Sequence, residues 1–548
     1  MGDPARSNTQ AMSVTSPWTA LGALCVGLFM IIVDGTIVNV AIPAIIHGLS
    51  ASLNDIIWAN SSYLLTFAVP LVVSGRLGDR YGPRRVFLAG QVIFTLASAV
   101  CGLATTPMML IMARAVQGLG AAAMAPQTMA FVTRLFPPNR RGVPMGIWGT
   151  VVGIASIAGP VLGGFLVEAL SWQWVFFVNV PVGVAGVVLT LTLVPDWQPR
   201  HSHHFDPLGI GLCCAGLLAV VLGLQEGQRY DWGTVAGPVT ILRLIAAGVL
   251  ILVAFVVWQR LNRTEPLLPL RIFGYRNFSL SGVANIAVGF TTAGMFLPLI
   301  IYIQSVLGYS AISSGLITTP MALVSGIIAP FAGRLSDRIS GRWIAAFGFC
   351  MLGLGIAMLA AGASSEASGT TMLLPFGICG IGVACIFSPL ANLATHGLDP
   401  RLIGAGSGIF ATARQGGGVI GSAAIGALLQ SRLAVELPAH ARASAMVLPP
   451  AYRRGFIAGV TRSGGSGFSA NAVPLGTPAG IARQIRGLGG HAFDAAFTDA
   501  MKVTLILPIA VLAVGVLACL AMRRPAIGDT GAPAAAEASR PDSAGVTG

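Results

Sequence analysis

Asp34 stands in the middle of an apolar run, VGLFMIIVDGTIVNVAIP (26–43). A carboxylate in that setting is costly unless it is paired or faces a polar cavity. Burial raises its pKa and a neighbouring cation lowers it. Together these can bring it near physiological pH, as proton or cation handling requires. The plainer reading is a structural polar contact that fixes its helix against a neighbour. Glu168 is the next acidic residue along the apolar stretches, and it sits at a helix end. The run LIMARAVQGLGAAA (110–123) places Arg114 at membrane depth as the natural partner. At about 1.5 Å per residue, Asp34 lies about 24 Å up its helix and Arg114 about 10 Å down an antiparallel one. Across a hydrocarbon core of about 30 Å, those depths agree to within a helical turn. The alternative for Arg114 is snorkelling to the nearer interface. Gln117 lies near the same face and is suited to hydrogen-bond substrate or water. Asn39 either joins this polar set or stitches helices together.

Arg414 is the other arginine deep in an apolar run, flanked by Gln415 and Gly416-Gly417-Gly418. The second half has no carboxylate at that depth, so Arg414 must meet water, a carbonyl, the other half or an anionic group of a substrate. Gating and structural roles both fit it. Other chemistry finds no support. His201, His203 and His204 lack the further ligands a metal site needs. The eight cysteines lie in apolar stretches without metal or disulfide spacing. Gly118-Leu119-Gly120 follows no strand, so it packs helices rather than binding a dinucleotide. No Ser-His-Asp, Cys-His or paired-carboxylate arrangement points to an enzyme, and neither a metal nor a cofactor is expected.

The elements that hold these residues follow from composition. Of 548 residues, 55% are hydrophobic and 9% charged, with a mean hydropathy of +0.80. A soluble domain carries about 25% charged residues, so soluble, disordered and fibrous classes are excluded. The formal charge of +13 suits membrane topology better than nucleic acid. The single lysine, Lys502, follows Met501, so no phosphate-binding Gly-Lys-Ser/Thr loop exists. An ion gradient is therefore the expected energy source. The fold class is an all-α polytopic membrane protein.

Apolar runs predict fourteen crossings, near 18–46, 56–76, 86–105, 107–131, 142–168, 173–194, 206–225, 236–259, 278–303, 312–333, 343–362, 371–394, 403–430 and 501–522. Arginines such as Arg76, Arg80, Arg84, Arg85, Arg140, Arg141, Arg260, Arg334, Arg338 and Arg342 crowd the loops on the side of the termini, which places both termini in the cytoplasm. Residues 1–17 are then a cytoplasmic lead and 523–548 a disordered cytoplasmic tail. The segment 431–500 lies outside with seven arginines; long translocated loops are largely exempt from the charge rule. It reads as a flexible loop or as a partly ordered hairpin that contacts lipid headgroups or an extracytoplasmic partner. The loop Gly75-Arg76-Leu77-Gly78-Asp79-Arg80 recurs as Gly333-Arg334-Leu335-Ser336-Asp337-Arg338. This repeat predicts two equivalent six-helix bundles, 18–195 and 277–522, with two inserted helices over 206–260. Repeated bundles around a midplane cavity are a common basis of alternating access.

These residues together resemble the major facilitator superfamily, and within it the fourteen-helix drug:H⁺ antiporters. GRLGDRYGPRRVF (75–87) is similar to the superfamily signature but carries Pro83 where a basic residue is usual; GRLSDRISGR (333–342) is its weaker copy. VDGTIVNVAIP (33–43) and LIMARAVQGLGAAA resemble the helix 1 and helix 4 motifs. GTVVGIASIAGPVLGG (149–164) resembles the helix 5 motif associated with exporters, and WQWVFFVNVPVG (172–183) the helix 6 entry. The resemblance implies a proton-driven exporter of amphipathic or lipophilic, chiefly cationic, compounds in a bacterial plasma membrane. Asp34 would be the coupling or cation-recognition carboxylate and Arg114 its proton-relay partner. Gly153, Gly159, Pro160, Gly163 and Gly164 would form a hinge. Gly75, Asp79, Arg80 and Arg84, with Asp337 and Arg338, would form gate loops. Export of an endogenous lipid or secondary metabolite, or a non-transporting sensor or scaffold, are the rival readings.

Overall fold

The computed structural model describes residues 16–523 except 69, 137–141, 197–205, 237, 263–269, 396–397, 399–402 and 467–478. The expectations for residues 1–15, His201, His203, His204 and the tail from 524 fall outside these residues. The described residues are mostly helical: α1 (Pro17–Leu49), α2 (Leu53–Ala68), α3 (Pro70–Tyr81), α4 (Pro83–Gly102), α5 (Pro107–Leu135), α6 (Gly142–Ala169), α7 (Trp174–Phe177), α8 (Asn179–Leu193), α9 (Pro207–Glu226), α10 (Ile241–Leu261), α11 (Arg276–Gly294), α12 (Phe296–Ile301), α13 (Ala311–Arg338), α14 (Gly341–Ala361), α15 (Thr370–Thr395), α16 (Ile403–Ala445), α17 (Pro450–Ser466), α18 (Ala479–Thr504) and α19 (Ile506–Ala521). In lipid every backbone polar group must be satisfied within the chain, and helices do so locally. Proline at the first position opens α1, α4, α5 and α9, where its missing N–H costs nothing.

Among the described residues, twelve helical stretches are long and apolar enough to cross a membrane. The other two crossings expected, 56–76 and 142–168, fall on α2–α3 and on α6; both include residues whose placement or side chains lie outside the description. The first set packs α1 on α6 and α8, α4 on α5, and α2 on α5. The second packs α11 on α16 and α19, and α14 on α15 and α19. Between them, α9 and α10 pair with each other and touch the rest through α2 and α16.

That inserted pair is tied at one end by Asp206. Its carboxylate accepts from Gly209 N (2.8 Å), Trp258 Nε1 (2.8 Å) and Gln259 Nε2 (2.6 Å), capping α9 and holding α10 with one group. Burial alone would raise its pKa; these donors and Asn262 more than offset that and hold the carboxyl below its ordinary value. At the other end Glu226 accepts from Asn54 (3.0 Å) and Trp58 (2.7 Å) of α2. A short antiparallel strand pair, β1 (Thr234–Ala236) with β2 (Val239–Thr240), joins α9 to α10. The crossing expected from 236 therefore starts at Ile241, with Thr240 as its cap.

Two expectations change. Gly75–Arg80 and Gly333–Arg338 are not loops: they form the last turns of α3 and α13. Helical hydrogen bonding carries on past the apolar run, and cationic side chains suit a helix C-terminus. The stretch 431–500, read as a flexible loop or a partly ordered hairpin, is helical wherever it is described, apart from a short turn between α16 and α17. At about 1.5 Å per residue, the 43 residues of α16 reach about 64 Å, twice a hydrocarbon core. α17 and α18 pack against that extension around Leu433, Leu437, Phe456, Val460, Ile485 and Phe497.

Candidate functional site

Asp34 is completely buried in α1, and both its carboxylate oxygens accept hydrogen bonds. Oδ2 accepts from Arg114 Nη1 at 2.7 Å; Oδ1 accepts from Gln117 Nε2 at 2.8 Å and from Asn179 Nδ2 at 3.0 Å. Three helices converge on it. Arg114 and Gln117 occupy neighbouring turns of α5, and the same guanidinium nitrogen also donates to Gln117 Oε1 at 2.7 Å. Asn179 is the first residue of α8. It also donates to Ser98 Oγ of α4 at 3.1 Å, while Ser98 donates to the Phe176 carbonyl at 2.9 Å.

Arg114 is 1% exposed, and its guanidinium lies 4.0 Å from the centre of the Tyr63 ring and 5.9 Å from that of Phe176. The aromatic faces attract the cation where no water can. Arg114 Nε and the Tyr63 hydroxyl find no partner among the described residues. A buried ion pair is helped by further hydrogen bonds to its remaining donors and acceptors, and Gln117 and Asn179 supply them to the carboxylate and to Arg114 Nη1 here. The arrangement is a compact polar node, one carboxylate and one guanidinium, closed off inside the first half.

Asn39 lies nearly one and a half turns beyond Asp34, and its amide donates to the Gly35 carbonyl at 3.3 Å rather than to the carboxylate. It lines a narrow cleft with Arg114, Ile42, Ile57, Asn60, Phe176 and Ser422 that has room for about one water. Beyond this cleft the two halves are sealed at the end away from the termini. Asn60 donates to Ser422 (3.4 Å) and Ser61 shares a hydrogen bond with it (3.3 Å). Gln304 donates to the Val40 carbonyl (2.8 Å), and Glu168 accepts from Ile312 N (2.7 Å).

The glycines of α6 serve the same closure. A Cβ at Gly159 would collide with Thr36, two residues past Asp34, and one at Gly164 would meet the backbone of Ile312 on α13. Gly163 abuts Ile37, and Pro160 abuts Gly315 through its carbonyl. Gly153 faces open space.

Arg414 is exposed, and its guanidinium lies 5.3 Å from the centre of the Phe387 ring of α15. It is not brought to Asp34. Of the sequence-predicted gate residues, Gly75 lies inside α3, Arg80 stands 5.5 Å over the Tyr81 ring, and Arg84 donates to the Leu191 carbonyl at 2.5 Å. Arg85 pairs with Asp196 at 3.3 Å. The side chains of Asp79, Asp337 and Arg338 lie outside the description.

Sequence reasoning missed Asn179 and Tyr63. The signal for Asn179 was present: it is the one strongly polar residue in VFFVNVPVG. Tyr63 left no signal, because an aromatic in an apolar helix reads as ordinary packing.

A bundle of this architecture, with one carboxylate sealed into its first half, is a membrane transporter design. Residues 24–422 match the sequence pattern of the Major Facilitator Superfamily, and the chain belongs to that family. It is therefore a multi-pass membrane transporter and not an enzyme. It is 42% identical over 457 residues (82% of this chain, 78% of the relative) to an uncharacterized MFS-type transporter of Mycobacterium tuberculosis. It is 33% identical to the tetracenomycin C resistance and export protein of Streptomyces glaucescens (77% and 78% covered). It is 30% identical to the multidrug export protein EmrB of Escherichia coli (73% and 78% covered). Among solved structures, a bacterial homolog of the human lysosomal transporter Spinster, inward-facing and unoccupied, superposes with a TM-score of 0.61. At 16% identity, with 92% and 97% of the two chains covered, that likeness speaks for the fold alone. Two of these relatives are named for export, one of a single antibiotic and one of multiple drugs.

Proposed function

We propose that this chain exchanges protons for amphipathic, lipophilic compounds, exporting them across a bacterial plasma membrane with both termini in the cytoplasm. The observation that carries the reading is the sealed Asp34–Arg114 pair, with both side chains at most 1% exposed. A proton reaching Asp34 removes the charge that holds Arg114, and Arg114 is then left to turn towards water or substrate. The energy source is the proton gradient, and no cofactor takes part. Because α6 abuts α1 within two residues of Asp34 and abuts α13 across the interface, movement at the carboxylate is coupled to the seal between halves. Gly159, Pro160, Gly163 and Gly164 are the hinge in this reading, and the helix ends carrying Asp79 and Asp337 are the opposing gate.

The orientation rests on the arginines of the termini side, and the domain limits on the repeated motif. The layer formed by the end of α16 with α17 and α18, with Val435, Met446 and Val447 exposed, is the surface available to an extracytoplasmic partner. A dedicated exporter of one secondary metabolite is the second reading, favoured by the Streptomyces relative named for a single antibiotic. The cationic preference is not carried forward, because both Asp34 oxygens are hydrogen-bonded and closed to solvent here.

The test is purified protein in liposomes with a trapped pH dye. Addition of a transported amphipath should move protons in the direction opposite to it. Substrate movement with no accompanying proton movement would refute coupling.

A further inference from the structure

The space between the halves holds one accessible charge at membrane depth among the described residues, and it is positive. Asp34 and Arg114 neutralise each other and are closed to solvent, and the polar lining near them, Asn39, Asn60 and Ser422, is neutral. Arg414 is exposed, and no carboxylate pairs with it among the described residues.

Its direction follows from helix geometry. At about 100° per residue, Arg414 stands about 20° from Gly421, which abuts Phe290 of α11. On its other side it stands about 60° from Ala411, which packs against the Tyr63 and Phe67 cluster of the first half. Arg414 therefore faces the wedge between α11 and the opposite half, not the outer surface of the bundle. Phe387 stands beside it, so the cation rests against an aromatic face with its N–H edge free. Keeping an unpaired cation at this depth is expensive. Arginine presents a planar fork that fits acidic oxygens and stacks on rings.

We propose that Arg414 and Phe387 form a substrate subsite for acidic aromatic amphipaths: aryl carboxylates, sulfonates or phenolates. The oxyanion takes the guanidinium edge and the ring packs beside Phe387. This rests on the exporter reading and adds the charge of the cargo to it.

The test uses three probes in proteoliposomes under an imposed pH gradient: anilinonaphthalene sulfonate, the parent N-phenylnaphthylamine that lacks the sulfonate, and ethidium. Loss of the charge-assisted pair between guanidinium and sulfonate should lower the sulfonate-to-parent rate ratio about tenfold in Arg414→Gln. Arg414→Lys, which keeps the charge but not the fork, should fall between. An unchanged ratio in Arg414→Gln, with both rates falling together, would mean a structural role and overturn the subsite. Wild type that carries the parent and ethidium but not the sulfonate would overturn the cargo class while leaving the exporter reading standing. Wild type that moves none of the three would overturn both.

Discussion

Two arginines sit at membrane depth, one in each half, and they have opposite surroundings. Arg114 is enclosed by a carboxylate, an amide and two aromatic rings. Arg414 has one ring beside it and an open side. The first half neutralises its charge internally, in a network that ties α1, α4, α5 and α8 together. The second half leaves its charge facing the interface. In the function proposed above this asymmetry separates the labours: the paired arginine responds to protons and the unpaired one meets cargo.

The contrast breaks most sharply at Arg114. Arg114→Ala leaves Asp34 buried without its cation, a loss of about 3–5 kcal/mol, seen as failed expression or a large drop in the thermal midpoint in detergent. Adding Asp34→Asn to Arg114→Ala should recover much of that loss, because the double change removes both charges. Arg414→Gln, by comparison, should leave the thermal midpoint nearly unmoved, since no partner is orphaned. Gly159→Val comes next. It drives a branched side chain into Thr36 and should cost about 1–3 kcal/mol by overpacking, with slowed transport as the companion readout. Asn179→Ala removes one of three donors to Asp34, for about 1–2 kcal/mol in the same thermal assay.

The smallest effect is expected outside both arginine sites, at the inserted pair. Asp206 has a lowered pKa in the folded protein, so its contribution is present above the unfolded value of about 3.9. It is lost as pH falls through the folded value. Helix-pair protection in hydrogen exchange should therefore be level through neutral pH and weaken only in acid. Asp206→Asn should flatten that acid dependence.

Much of this was legible before any coordinates. Counting residues at a fixed rise put Asp34 and Arg114 at one depth, and the structure has them 2.7 Å apart, because a buried charge leaves few choices of partner. Gln117 followed from helical spacing. Asn179 was not deduced, since depth along one helix says nothing about which neighbour turns inward. The helicity of 431–500 was hidden by its composition. Gly, Ser and Arg there suggest a loop, while apolar positions such as Leu433, Leu437, Phe456 and Phe497 are too sparse to outline a helix until they are packed. The ends of α3 and α13 were cut short for a related reason: hydropathy marks where lipid ends, not where hydrogen bonding does.

The central claim is that Asp34 couples cargo to protons. The direct measurement compares wild type with Asp34→Asn in liposomes, following both substrate exchange at equal pH and accumulation driven by a pH gradient. Asp34→Asn leaves Arg114 buried without its counter-charge, at a cost of the same order as Arg114→Ala, so the comparison uses protein shown to be folded by its thermal transition. In that protein the account predicts that exchange is kept and gradient-driven accumulation is lost. Accumulation undiminished in that variant would contradict it.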